Sequence, residues 1–237
     1  MKQKKHIVLK LTGELIPHTP QGLNADGIRA IATQIKSLSQ EYQFSIVTGG
    51  GNFFRGAQQG SEVKISLPVS HYVGMLATTM NGLIIQDIFE QLDIRTTLFC
   101  ALTCPDVGKT ISMQALTQAK IAGHCLIFTG GTGNPFFTTD TNAVLRSLQV
   151  HANELWKGTK VDGVYTCDPN IDKTAELLPR LTYDQALEQQ LGIMDLSAFA
   201  LAKGQQLRIR IFNIFTPNAL LQVAADKSFG STISNNY

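Results

Sequence analysis

The chain has 237 residues, enough to bury a substantial core as one large domain or two small ones without disulfides or a structural metal. A composition of 43% hydrophobic, 16% charged and 8% aromatic residues excludes a disordered or fibrous polymer. Twenty Lys and Arg against 18 Asp and Glu leave a net charge of +2, too even for a general nucleic-acid binder but compatible with a local phosphate site. The four cysteines, at 100, 104, 125 and 167, match no zinc-ligand spacing, which points to a reduced chain. Residues 1–6 run straight into an apolar stretch too short for a signal peptide, and no run of about 18 apolar residues follows. The expectation is therefore a soluble, cytoplasmic protein of one compact unit over residues 1–237, engaging neither nucleic acid nor membrane.

Short β-branched runs alternate with longer amphipathic ones, the pattern of an α/β protein with a largely parallel sheet. Residues 6–11 read as the first strand, ending at Gly13. Asn24 stands where it can cap a helix in which Ile28, Ile31, Ile35 and Leu38 recur at helical spacing. Residues 44–48 form a second strand leading into three glycines. A helix over 72–92 carries Leu76, Met80, Leu83 and Asp87 along one side; the apolar stripe is read as core, with a subunit contact expected on the same helix. Strands at 94–99 and 125–129 bracket a helix near 113–122, and 139–151 read as a helix followed by a short strand at 154–157. The polar stretch 162–179 reads as loop with a small hairpin. Thr182 with Gln185 forms a capping box, and Asp195 starts a further helix. Residues 208–212 read as a strand with two outward arginines, Pro217 as the first turn of a short helix, and 231–234 as a final edge strand.

Three glycine-bearing segments follow apolar runs: 10–13 (KLTG), 49–56 (GGGNFFRG) and 130–139 (GGTGNPFFTT). In a parallel sheet the carboxyl ends of the strands share one rim, so the three loops are expected to face one crevice. Backbone N–H groups freed by glycine wrap phosphate oxygens, and a following helix N-terminus adds a favourable field. The familiar nucleotide signatures are missing. Gly108, Lys109 and Thr110 resemble the end of a P-loop, but the glycine required five positions earlier is Thr103. No Gly-x-Gly-x-x-Gly opens the first helix, and neither a protein-kinase set nor a nucleophile elbow is present.

Charged groups mark the same rim. Lys10, at the end of the first strand, can neutralise transferring phosphoryl oxygens; Arg55 offers a planar donor fork to phosphate. Asp140 can orient Lys10 or help place hydrated magnesium, or can simply serve the helix start as a cap or first-turn acid. Phosphoryl transfer needs positioning and electrostatic stabilisation rather than a covalent nucleophile, so this inventory suffices chemically. Threonine, tyrosine and carboxylate groups between 157 and 169 can hold a base and ribose, although Lys160 and Asp162 equally fit solvated or turn roles.

With these segments in order, together with 74–78 (GMLAT), Asn81, 159–169 (TKVDGVYTCDP), Met194 and Asp195, the sequence from 10 to about 232 resembles the bacterial uridylate kinases of the amino-acid kinase superfamily. The resemblance implies a three-layer α/β/α sandwich with a central, largely parallel sheet. It implies transfer of the ATP γ-phosphoryl group to UMP with magnesium held mainly through the phosphates, giving UDP and ADP in pyrimidine biosynthesis. By motif position Lys10, Leu11, Thr12 and Gly13 match the ATP phosphate turn, Gly51 and Arg55 the ATP side, and Thr159, Tyr165 and Asp168 the ATP nucleoside site. Gly50 with Thr132, Gly133, Asn134, Pro135, Phe136, Phe137, Thr138 and Thr139 matches the UMP site. The acceptor side thus falls in the N-terminal half and the ATP-nucleoside side in the C-terminal part. Lys10, Arg55 and Asp140 are the expected catalytic residues; no protein metal ligand is assigned. His71 stands where the family usually has a ribose-binding aspartate, and Thr12 where serine is commoner. A neutral histidine donates or accepts a hydrogen bond but is not a bidentate anionic acceptor. The resemblance further implies a homohexamer, GTP activation and UTP inhibition. The alternatives are a related kinase acting on another small phosphate or carboxylate, or a non-catalytic uridine-nucleotide sensor.

Overall fold

Residues 7–9 and 46–47 are apolar at successive positions, as strands covered on both faces must be, and all are fully buried. The structure, a computed structural model, describes residues 4–55, 60, 62, 64–169, 171–189 and 191–235; Gly56, the last residue of the second glycine segment, lies outside them. In chain order the elements are β1 (Lys5–Leu11), a 3-10 turn (Gly13–Leu15), the pair β2 (His18–Thr19) and β3 (Gly22–Leu23), α1 (Asp26–Leu38), β4 (Tyr42–Thr48), α2 (Leu67–Gln91) and β5 (Thr96–Cys100). Then come β6 (Lys109–Thr110), α3 (Met113–Ile121), β7 (Cys125–Thr129), α4 (Thr139–Gln149), β8 (Glu154–Thr159), β9 (Val164–Tyr165), β10 (Leu177–Leu178) and β11 (Arg180–Thr182). The last are α5 (Tyr183–Glu188), α6 (Leu196–Gly204), β12 (Ile209–Asn213), α7 (Ala219–Ala225) and β13 (Ser231–Ser234).

Nine strands form one sheet in the order β11-β13-β12-β8-β1-β4-β7-β5-β6. The pairs from β12 through β6 are all parallel, and β13 runs antiparallel to β12. Ile7, Leu9 and Leu11 of β1 pack under α1, α2 and α7 against Ile31, Phe89 and Leu220. Val8, facing the other way, joins Val144 of α4 and Phe199 of α6. Each such side chain contributes roughly 1.5–3 kcal/mol by leaving water. The result is the expected α/β/α sandwich. Among the described residues no helix is long and apolar enough to cross a membrane.

Several local expectations are corrected. α2 begins at Leu67, with a proline in its first turn where a missing N–H costs nothing. Its Leu76, Met80 and Leu83 are exposed rather than core; Ile85, Ile88 and Phe89 carry the buried face. Asn24 is not the cap of α1: Ala25 holds that position, and the Asn24 side chain accepts from Asp26 N at 2.8 Å. Arg210 is buried, not outward, because its guanidinium donates to the carbonyls of Val223, Asp226 and Phe229; burial without such acceptors would be prohibitive. Pro217 precedes α7, whose cap is Asn218 in the left-handed region at φ 57°. β13 is an inner strand, since β11 pairs with its far side and forms the edge. The 182–185 capping box and the Asp195 cap are present as expected.

Candidate active site

The carboxyl ends of β1, β4, β7 and β8 bring the three glycine segments to one rim. The turn after β1 lies hard against the loop after β4: a Cβ on Gly13 would stand 2.5 Å from Asn52 Oδ1 and 2.9 Å from Gly49 O, so only glycine fits. That loop is tied to α2 by reciprocal amide bonds between Asn52 and the buried Asn81, at 2.7 and 3.0 Å, and Asn81 Nδ2 also donates to Gly49 O at 2.7 Å. Gly50 meets α2 as closely, since an added Cβ would lie 2.8 Å from both Ala77 Cβ and Gly74 O.

On this rim lies a cavity of about 270 Å³ lined by Gly50, Gly51, His71, Phe137, Thr138 and Thr139, among others. Thr132 to Phe136 make the adjoining turn. Thr132 Oγ1 accepts from Asn134 N and donates to Asn134 O, closing the turn on itself around Gly133 and leading into Pro135. Phe136 holds φ 72°, an uncommon left-handed conformation for a bulky residue, and its ring lies 5.3 Å from that of His71. A second cavity of about 610 Å³ opens beyond β8, where Thr159, Tyr165 and Asp168 line one side and Leu191, Ile193 and Ile211 supply apolar wall. The Thr159 hydroxyl donates to Val161 O at 2.7 Å, and Tyr165 OH reaches Asp162 at 3.5 Å. Burial, then the Asp162 charge, pushes the Tyr165 phenol up.

A charge cluster adjoins both cavities: Lys157 lines the larger, and Asp140 follows Thr139, which lines the smaller. Lys10 and Lys157 are register partners on the adjacent parallel strands β1 and β8, so their side chains emerge on the same face of the sheet. Asp140 Oδ1 lies 3.4 Å from Lys10 Nζ, and Asp140 Oδ2 accepts from Lys157 Nζ at 2.7 Å. Burial alone would raise the Asp140 carboxyl, but the two ammonium groups outweigh it and hold it below the ordinary carboxylate range. Burial draws Lys157 down from its ordinary value, opposed in part by Asp140. Asp140 is not the cap of α4; Thr138 is, its Oγ1 accepting from Asp140 N at 3.0 Å and Thr141 N at 3.3 Å. Asp195 caps α6, accepting from Ala198 N at 2.9 Å, and also accepts from the hydroxyls of Thr141 and Thr138, so it joins two helix starts beside the cluster.

The sequence of residues 5–213 matches the profile of the amino acid kinase family. The chain belongs to that family. Among its relatives are the uridylate kinases of Psychrobacter cryohalolentis, 40% identical over 96% of this chain and 95% of its own, and of Mycoplasma genitalium, 39% identical over 99% and 98%. Its fold is that of UMP kinase from Ureaplasma parvum, with a TM-score of 0.93 at 32% identity over 98% of this chain and 99% of the other. UMP kinase from Bacillus anthracis gives a TM-score of 0.92 at 27% identity over 98% and 97%.

In this amino acid kinase the expected Lys10 and Asp140 are in direct contact; the loops after β1, β4 and β8 bound a trough, and the half-exposed Arg55 stands at its mouth. There it pairs with Glu14 and donates from Nε to Gly51 O at 3.3 Å. Leu11 contributes backbone only: its O accepts from Gly49 N at 3.0 Å, while its side chain is core. Thr12 Oγ1 accepts from Glu14 N and caps the 3-10 turn. Sequence reasoning gave Lys157 no role, and gave Glu14 none; the first is found only once β1 and β8 are known to be neighbours. Among the described residues no group of three His, Cys, Asp or Glu can hold a metal, and Asp140 and Asp195 are already engaged by lysines and threonines. A magnesium ion carried on phosphate oxygens asks for no such group of protein ligands.

Proposed function

We propose that this kinase transfers the γ-phosphoryl group of ATP to UMP, forming UDP and ADP, with the acceptor in the smaller cavity and the donor nucleoside in the larger. The observation that carries the assignment is the Lys10–Asp140–Lys157 cluster, in which Lys157 lines the larger cavity and Asp140 follows Thr139 of the smaller. A UMP phosphate oxygen attacks the γ-phosphorus while the bond to the β–γ bridging oxygen breaks, leaving its electron pair on ADP. The attacking group is already an oxyanion, so no strong general base is required. Lys10 and Lys157 face the charge that spreads over the transferring oxygens, and Asp140 keeps both ammonium groups charged and oriented. When bound, magnesium supplies further neutralisation of the β- and γ-oxygens. Gly50, His71 and Thr138 would position the acceptor; Thr159, Tyr165 and Asp168 would hold the donor nucleoside.

An assembly is also proposed. Val69, Tyr72, Leu76, Met80 and Leu83 are each 42–49% exposed and recur at three- and four-residue spacing on α2. Such a stripe supports a helix-to-helix subunit contact within a homohexamer. GTP activation, UTP inhibition and a cytoplasmic location complete the proposal. Coupled nucleotide-production assays with UMP, CMP, carbamate and isopentenyl phosphate test the activity: UDP formation well above the other products supports it, whereas nucleotide binding without turnover selects a sensor. Native mass measurement giving only monomer would refute the assembly.

A further inference from the structure

At the mouth of the trough the Glu14 carboxylate stands between two cations that arrive from different strands. One oxygen pairs with Arg55, beyond β4, and the other with Lys160, beyond β8. The Glu14 backbone is held by the 3-10 turn and by the tight seat of Gly13 against Asn52 and Gly49. Its side chain is only 23% exposed, whereas those of Arg55 and Lys160 are 53% and 63% exposed. Glu14 and Asp140 are therefore unlike. Asp140 holds largely buried ammonium groups, which are costly to unpair. Glu14 holds solvent-facing ones, and exposed ion pairs are weak enough to exchange partners.

A polyphosphate entering this mouth offers several oxygens to the same two cations, and a carboxylate left between them would repel it. We infer that Glu14 is a stand-in anion: it holds Arg55 and Lys160 across the mouth and gives them up when the donor's phosphates arrive. When the diphosphate product leaves, the carboxylate recovers both cations, which speeds release. Glu14 is thus a positioning residue that competes with the polyphosphate. The inference rests on the assignment of this trough to the donor phosphates.

The test is equilibrium binding and dissociation of inorganic tripolyphosphate, ADP and UMP by the full-length enzyme and its Glu14→Gln variant, with steady-state constants for ATP. Glutamine keeps the shape and removes the charge. Tripolyphosphate and ADP should bind about tenfold tighter through slower dissociation, and KM for ATP should fall without a rise in kcat, while UMP affinity stays the same. Glu14→Asp, too short to reach both cations, should lie between. In a Lys160→Gln background the gain from Glu14→Gln should shrink to about threefold or less, because part of the competition acts through Lys160. Unchanged or weaker tripolyphosphate binding in a folded Glu14→Gln enzyme would overturn the inference. Tightening toward UMP alone would overturn the donor-side assignment beneath it.

Discussion

Asp140→Asn keeps the size of the side chain and removes the one anion between two ammonium groups. At an effective dielectric of 20, contacts of 2.7 and 3.4 Å correspond to roughly 5–6 kcal/mol of gross attraction each. Desolvation cancels much of that, and removing one partner of a buried pair typically costs about 3–5 kcal/mol. Burial already draws Lys157 below its ordinary value, and loss of Asp140 removes the largest charge opposing that shift, while Asp195 and the Ile193 carbonyl remain. We expect the stability loss to stop at about 2–3 kcal/mol, the transition state losing the preorganised charge as well. Loss of such an electrostatic group costs about 2.7–4 kcal/mol, or 10²–10³ in kcat. The assay is initial-rate UDP formation at saturating ATP and UMP, normalised to folded protein from a thermal or urea transition. Thr138 supplies the cap, so the α4 start should survive the substitution. A folded variant with kcat within about threefold of the parent would reduce Asp140 to a first-turn acid with no part in phosphoryl transfer.

His71→Asp should lower KM for UMP more than it changes kcat, since His71 lines the smaller cavity and lies away from the charge cluster; equal UMP affinity in both proteins, by direct binding, would remove His71 from the acceptor site. Burial, then the Lys120 charge, lowers His6 to about pKa 4. The unfolded chain, with an ordinary value near 6.5, therefore binds the extra proton between about pH 6.5 and 4, and stability should fall by about 3 kcal/mol as pH drops through that window. His6→Gln, which can still bond to Ser45 Oγ, should flatten this part of the pH–stability curve; an unchanged slope would place the acid sensitivity elsewhere.

The legible parts of this fold are those written in local pattern. The apolar runs of β1, β4 and β7, the Thr182–Gln185 box and the three glycine segments each declare themselves within a few residues. What stayed hidden depends on neighbours far apart in the chain. Lys157 acquires its meaning from a register partner near the N-terminus, and no spacing rule links the two. Arg210 looks like a solvated strand residue until the carbonyls at the end of α7 and in the turn before β13 close around it. The α2 stripe misled for a related reason: helical periodicity shows that a face is apolar, but not whether it meets the chain's own core or remains outside. At the proposed site, motif order pointed to Lys10, Arg55 and Asp140, whereas the pairing of Glu14 with Arg55 and Lys160 appears only when three strand ends converge.

Lys10 and Asp140 are proposed to act as one electrostatic unit on the transferring phosphoryl group. This is tested most directly by a kcat cycle of the parent enzyme, Lys10→Ala, Asp140→Asn and the double variant, all shown folded. Groups that work as a unit are strongly non-additive. Each single variant should lose about 10²–10³ in kcat, and the double variant little more than the worse single one. Independent losses that multiply to about 10⁴ or beyond, or a Lys10→Ala enzyme turning over near the parent rate, would contradict it.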